Sequence, residues 1–168
     1  MVKNIVLIGM MSSGKTTVGK LLAQRLGRPF LDTDALIEER EGRSIPDIFA
    51  RDGEGAFRAL ELKLSQALSA SNGLVIACGG GLPAQAEAIA ALKQNGMVFW
   101  LDRDPGETYD SLDLSHRPLA RSGRDDFIRR YQDRAQCYQY WSDHVVCARS
   151  PQEAVTLISA IYLEAIKL

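Results

Sequence analysis

Four short runs of apolar residues punctuate the chain: Asn4 to Ile8, Leu74 to Ala77, Met97 to Leu101 and His144 to Cys147. Each is about as long as a strand and lacks polar alternation. That pattern predicts strands covered on both faces, as in a parallel sheet. A shorter fifth run, Pro29 to Leu31, predicts an edge or near-edge strand. Between these runs the apolar positions switch to helical spacing. Thr16 to Leu26 sets Val18, Leu21, Leu22 and Leu26 on one stripe. Asp34 to Glu41 and Ile45 to Arg51 predict two short helices, and Glu54 to Ala70 a longer one along Phe57, Leu60, Leu64 and Leu68. Alanine-rich Pro83 to Gln94 and the final Pro151 to Ile166 complete the set, with Pro151 suited to a first helical turn. Strands alternating with helices predict an open α/β sheet with right-handed crossovers.

One stretch breaks the alternation. Asp110 to Arg124 is polar, carries His116, Arg117, Pro118, Arg121 and Gly123, and offers few apolar anchors. Composition leaves it open as a plain surface loop or a lid. No repeat or linker divides the 168 residues, so residues 1–168 are expected to form a single domain. The formal net charge of -1 supplies no global field towards nucleic acid or an anionic membrane, so any bound anion must be held by a local cluster. The three cysteines, Cys78, Cys137 and Cys147, cannot all pair within one chain, and no spacing among them suggests a metal site. Reduced thiols and a cytoplasmic location are expected. The apolar start, Ile5 to Met11, is too short for a membrane span and runs straight into polar residues, so no targeting segment is expected.

Those polar residues carry chemistry. Gly9-Met10-Met11-Ser12-Ser13-Gly14-Lys15-Thr16 matches G-x-x-x-x-G-K-[ST], after a predicted strand and before a predicted helix. Loop and helix N–H groups in such a turn point at phosphate oxygens, and the helix dipole adds to the attraction. Lys15 is expected to reach the β- and γ-phosphates of a nucleoside triphosphate, and the Thr16 hydroxyl to ligate Mg²⁺. Met11, Ser12, Ser13, Gly14 and Thr17 would line the same nucleotide site. The loop alone fits GTPases, motors, nucleotide kinases and small-molecule kinases. The guanine signature Asn-Lys-x-Asp is missing, and 168 residues leave little room for a motor domain.

Three further clusters are candidates for an acceptor site. Asp32-Thr33-Asp34 follows the second strand, at the sheet end where ligands of such folds bind. Two carboxylates there can serve Mg²⁺ and a substrate hydroxyl; the plainer role for Asp34 is a helix N-cap. Arg58 and Glu61 share a helix face, either as a surface pair or as a guanidinium fixed to receive a carboxylate. Gly79-Gly80-Gly81 follows the third strand, where backbone passing close to a ligand accounts for three glycines better than a simple turn does. Arg117 and Arg134 are the remaining cations, and either could be surface charge.

In order, the chain shows the phosphate loop, Asp32-Thr33-Asp34, Ile45-Pro46-Asp47-Ile48-Phe49, Gly53-Glu54-Gly55-Ala56-Phe57-Arg58-Ala59-Leu60-Glu61, Gly79-Gly80-Gly81, Arg117-Pro118-Leu119, and Arg134 ahead of Tyr138. This ordered set resembles the shikimate kinases over nearly the whole chain. The resemblance implies a three-layer P-loop fold with a five-stranded parallel sheet in the order 2-3-1-4-5, and a lid over residues 110–124. It implies transfer of the γ-phosphoryl group of ATP to the 3-hydroxyl of shikimate, in the pathway to chorismate and aromatic amino acids. A substrate-binding region would span residues 33–61. Arg58 and Arg134 would hold the shikimate carboxylate, Asp34 its ring hydroxyls, and Gly79, Gly80 and Gly81 would line the pocket with Phe49 and Phe57 as an apolar wall. Lys15 and Arg117 would stabilise charge on the transferring group, with Mg²⁺ held by Thr16 and, through water, Asp32. A monomer acting on a small molecule, with neither nucleic acid nor membrane as partner, is expected.

The chain departs from the family at three places. Cys78 stands where threonine or serine is usual, and Arg134-Ala135-Gln136-Cys137-Tyr138 replaces Arg-x-Pro-Leu-Tyr. Asp110 stands where many members place an arginine that packs on adenine. Either His116 or Arg149 takes that place, or nucleotide affinity is lower. Two rival readings remain: a gluconate or other sugar-acid kinase, and a non-catalytic ATP-binding relative.

Overall fold

Side chains leave a strand on alternate faces, so a strand with no exposed position must be covered twice. The computed structural model, which describes residues 3–112 and 123–167, shows this for β1 (Asn4–Ile8), buried along its whole length. Ile5 and Leu7 enter one apolar core, with Val18 and Leu22 of helix α1 (Lys15–Leu26) and Val155, Ile158 and Tyr162 of α7 (Pro151–Ala165). Val6 and Ile8 enter the other. Its partners come from α3 (Ile45–Ser69), α4 (Ala86–Gln94) and α6 (Arg124–Trp141), among them Leu64, Ile89, Phe127 and Tyr138.

The sheet is parallel, five-stranded and ordered β2-β3-β1-β4-β5, with β2 (Phe30–Asp32), β3 (Val75–Ala77), β4 (Gly96–Leu101) and β5 (His144–Val146). The short run at Pro29 to Leu31 is thus an edge strand, as its length suggested. The run at His144 to Cys147 is the opposite edge, not a doubly covered strand: Val145 is 48% exposed. An apolar run by itself does not distinguish an edge from an interior position.

α2 (Thr33–Glu41) follows β2 directly. The helices predicted at Ile45 to Arg51 and Glu54 to Ala70 are both present, joined end to end as α3 across a kink at Gly53. Gly53 takes φ 83° and ψ 170°, a conformation that side chains disfavour. The break brings Phe49 and Phe57 together, with ring centroids 5.0 Å apart. A short α5 (Pro105–Asp110), capped by Asp104, was not evident from periodicity because it is only six residues long. Asp110 therefore ends α5 and Arg124 opens α6, which trims the segment expected as a lid at both ends. Arg117 and His116 lie outside the described residues. Among those described, no helix is long and apolar enough to cross a membrane.

Gly96 opens β4 where a Cβ would lie 2.5 Å from the Leu92 carbonyl oxygen and 2.7 Å from Val6 Cγ2. Backbone and sheet core cannot both yield, so Gly96→Ala is expected to cost about 1–3 kcal/mol. A urea unfolding midpoint equal to the parent's would contradict this packing.

Candidate active site

The C-terminal ends of the strands open into a cleft of about 590 Å³. β1 feeds the phosphate loop, whose turns require unusual backbone: Gly9 at φ 145°, Ser12 at 64° and Gly14 at 96°. No side chain caps α1, and Gly14, Lys15, Thr16 and Thr17 line the cleft at its N-terminus. This is the geometry in which helix N–H groups and dipole receive an anion. Lys15 is buried, and its Nζ donates to the Gly9 and Met10 carbonyls at 2.8 Å each, which folds the ammonium over the loop.

Beside it, the Thr16 hydroxyl donates to Asp32 Oδ2 at 2.8 Å. Asp32 Oδ1 accepts from the N–H groups of Asp34 and Ala35, so Asp32, and not Asp34, caps α2. The capping alternative for Asp34 is thereby removed: helical register turns its carboxylate inward. Asp34 Oδ1 is buried and has no hydrogen-bond partner among the described residues. Burial first, then the charges of Asp32 and Glu61, raise its pKa from 3.8 to about 6, against the lowering effect of Lys15. Thr33 is buried and accepts from the Gly79 N–H at 3.0 Å, fastening β3 to the start of α2.

The three glycines each face a different functional group. A Cβ at Gly79 would overlap Asp34 Oδ1. At Gly80 it would lie 3.2 Å from the Met11 nitrogen and 3.5 Å from Arg134 Nη1, and at Gly81 2.9 Å from Arg58 Nη2. Arg58 and Glu61 are no surface pair. Glu61 is 1% exposed and accepts from Arg58 Nη1 at 2.6 Å, while Glu54 accepts from the outer side of the guanidinium. Arg134 stands near Glu61 and Tyr138 and helps keep Glu61 ionised against burial, which acts to raise its pKa. Tyr138 donates to the Gly80 carbonyl at 2.7 Å, so the arginine-to-tyrosine spacing ties α6 to the glycine turn even with Ala135, Gln136 and Cys137 between. Phe57 packs under Arg58, with its ring centroid 5.5 Å from the guanidinium carbon.

A second cavity, of about 110 Å³, lies on the other side of the loop against β4, β5 and α7. Ser13 and Gly14 form one wall, and Arg103, Arg149 and Pro151 another. Arg103 also borders the main cleft. It carries no motif, and only its place just beyond β4 could have flagged it. Asp110 forms an ion pair with Arg124 at 3.0 Å.

Comparisons with known proteins find relatives over most of the chain. The family model described as shikimate kinase matches residues 11–164. A shikimate kinase of Symbiobacterium thermophilum is 50% identical over 129 residues, covering 75% of this chain and 74% of that protein. The solved shikimate kinase from Acinetobacter baumannii in complex with shikimate superposes with a TM-score of 0.90 at 32% identity, covering 98% of this chain and 95% of that one. A gluconokinase from Sinorhizobium meliloti 1021 shares the fold alone, with a TM-score of 0.58 and 14% identity over 98% of this chain and 95% of that one.

The raised pKa of Asp34 has a definite thermodynamic sign. As pH rises from 3.8 to about 6 the unfolded chain releases this proton before the folded one does, so folding loses stability across that window. Asp34→Asn is therefore expected to be more stable than the parent at pH ~8 by roughly 1–3 kcal/mol, and no more stable at pH ~4. Urea unfolding at the two pH values measures this; an advantage that did not change with pH would refute the burial of an ionised Asp34.

Proposed function

Because the chain belongs to the shikimate kinase family, an ATP-dependent phosphotransferase acting on shikimate, we propose how its own residues divide the work. The observation that carries the proposal is the glycine turn, which sets Asp34, the phosphate loop and Arg58 around one stretch of bare backbone. A substrate lying on that turn meets a carboxylate at one end and a guanidinium at the other. Shikimate, with its carboxylate and ring hydroxyls, has the matching groups.

Arg58, braced by Glu61, receives the carboxylate together with Arg134. Phe49 and Phe57 wall the ring. Asp34 accepts the hydrogen bond of the attacking 3-hydroxyl and takes its proton as the new oxygen–phosphorus bond forms and the bond from the γ-phosphorus to the bridging oxygen breaks, releasing ADP. A carboxylate with a pKa near 6 is a better acceptor for this than an ordinary aspartate. The loop N–H groups and Lys15 hold the nucleotide phosphates and meet the charge that develops on the γ-phosphoryl oxygens. Arg117 is assigned to the same charge from the lid between α5 and α6.

Thr16 and Asp32 suit Mg²⁺: a hydroxyl and a carboxylate share one point beside the loop, a small oxygen set of the kind this ion completes with water and phosphate. When bound there, the ion neutralises phosphate charge. The flat base of ATP is assigned to the smaller cavity, against Arg103, Arg149 and Pro151. With Asp110 held by Arg124, these two arginines supply the cationic surface for stacking. The chain is assigned to the cytoplasm as a monomeric single domain, with no nucleic acid or membrane partner.

An ADP-release assay with MgATP tests the acceptor, comparing shikimate, gluconate and no acceptor. Turnover with shikimate alone is expected, and equal release with gluconate would favour the sugar-acid reading. Lys15→Ala is expected to lower kcat by roughly a hundredfold or more with the fold retained; near-normal turnover would remove Lys15 from the mechanism. Arg58→Ala is expected to raise the shikimate KM, by up to about 2–5 kcal/mol of lost binding, with little change in the KM for ATP. The reverse pattern would overturn the clamp.

A further inference from the structure

Glu61 is a buried carboxylate held from two sides, by Arg58 and by Gln85. Its Oε2 accepts from Arg58 Nη1 at 2.6 Å and from Gln85 Nε2 at 2.5 Å. Gln85 comes from a different element. It stands between the 3-10 turn Leu82–Ala84 and the first turn of α4, at the N-cap position. Glutamine is a poor choice for capping, and this one caps nothing; its side chain turns to Glu61 instead.

The turn that carries Gln85 is itself fixed to the glycine segment. Leu82 N–H donates to the Gly79 carbonyl, Ala84 N–H to that of Gly81 and Gln85 N–H to that of Leu82. From α6, Cys137 donates to the Pro83 carbonyl and Tyr138 to that of Gly80. Gln85, the glycine backbone and the helix bearing Arg134 therefore share one frame, while Arg58 and Glu61 belong to α3. The amide of Gln85 bridges the two.

We propose that Gln85 is a positioning residue of the acceptor clamp: its amide N–H fixes the Glu61 carboxylate in the orientation that presents Arg58 to the substrate carboxylate. The inference rests on the reading of Arg58 as that clamp. Without the amide, Glu61 keeps Arg58 as a partner but loses the contact that sets its rotation relative to the glycine turn. Burial already disfavours the Glu61 charge, and the Gln85 hydrogen bond acts against that effect, as Arg58 and Arg134 do. The consequence falls on acceptor binding and not on the phosphate loop.

A variant of equal side-chain length tests this: Gln85→Met keeps the shape and removes the donor. Gln85→Met is expected to raise the shikimate KM about three- to tenfold, with kcat and the KM for ATP within about twofold of the parent. An unchanged shikimate KM in Gln85→Met overturns the proposal. A parallel rise in the ATP KM together with a fall in Tm also overturns it, because that is what a purely structural contact gives. Arg58→Ala, measured alongside, separates the two readings. If it raises the shikimate KM and Gln85→Met does not, only the Gln85 role fails; if neither does, the clamp fails as well.

Discussion

The site depends on a stretch of backbone that has no room for side chains. Gly79, Gly80 and Gly81 pass between the Asp34 carboxylate, the Met11 nitrogen of the phosphate loop and the Arg58 guanidinium, each within van der Waals reach of a missing Cβ. Three elements thereby converge on one turn: β1 with its loop, α2 with Asp34 and α3 with Arg58. The turn is held by Thr33, which accepts from Gly79 N–H, and by Tyr138, which donates to the Gly80 carbonyl. The turn itself is backbone with planar peptide units, so what packs against it meets a stiff surface.

Electrostatics follow from the same convergence. Asp32, Asp34 and Glu61 crowd a small volume with Lys15, Arg58 and Arg134. The anions are sorted by partner. Asp32 is spent on Thr16 and the α2 cap, Glu61 on Arg58 and Gln85, and Asp34 is left with a raised pKa and a buried oxygen to offer. Cys78 adjoins this group as a buried thiol whose pKa burial pushes well above the ordinary range. It remains protonated at neutral pH.

Much of this was legible in the sequence because the decisive residues are of types that tolerate few alternatives. The loop from Gly9 to Thr16 needs its glycines for positive φ at 9 and 14. The strands show as unbroken apolar runs, and the gap between the helices predicted at Ile45 to Arg51 and Glu54 to Ala70 coincides with the kink at Gly53. What stayed hidden was pairing that depends on tertiary approach. Arg58 and Glu61 have the spacing of any surface pair, and only the burial of Glu61 shows otherwise. Arg103, Gln85 and the switch of capping role from Asp34 to Asp32 depend on where chain ends and turns come to lie, which composition does not encode. Short α5, at six residues, carries too little apolar periodicity to be legible.

In the proposed function, the glycine turn sets Asp34 against the acceptor. Shikimate-dependent ADP release by Gly79→Ala tests this most directly, because the three atoms nearest the added methyl group all belong to the Asp34 carboxylate, which it must push aside. A fall of about a hundredfold in kcat/KM for shikimate, with ATP affinity retained, is the predicted result, since a misplacement near 1 Å at a reacting group has an effect of that order. A variant within about twofold of the parent would show that Asp34 is not held by this turn, and the account of the acceptor site would fall with it.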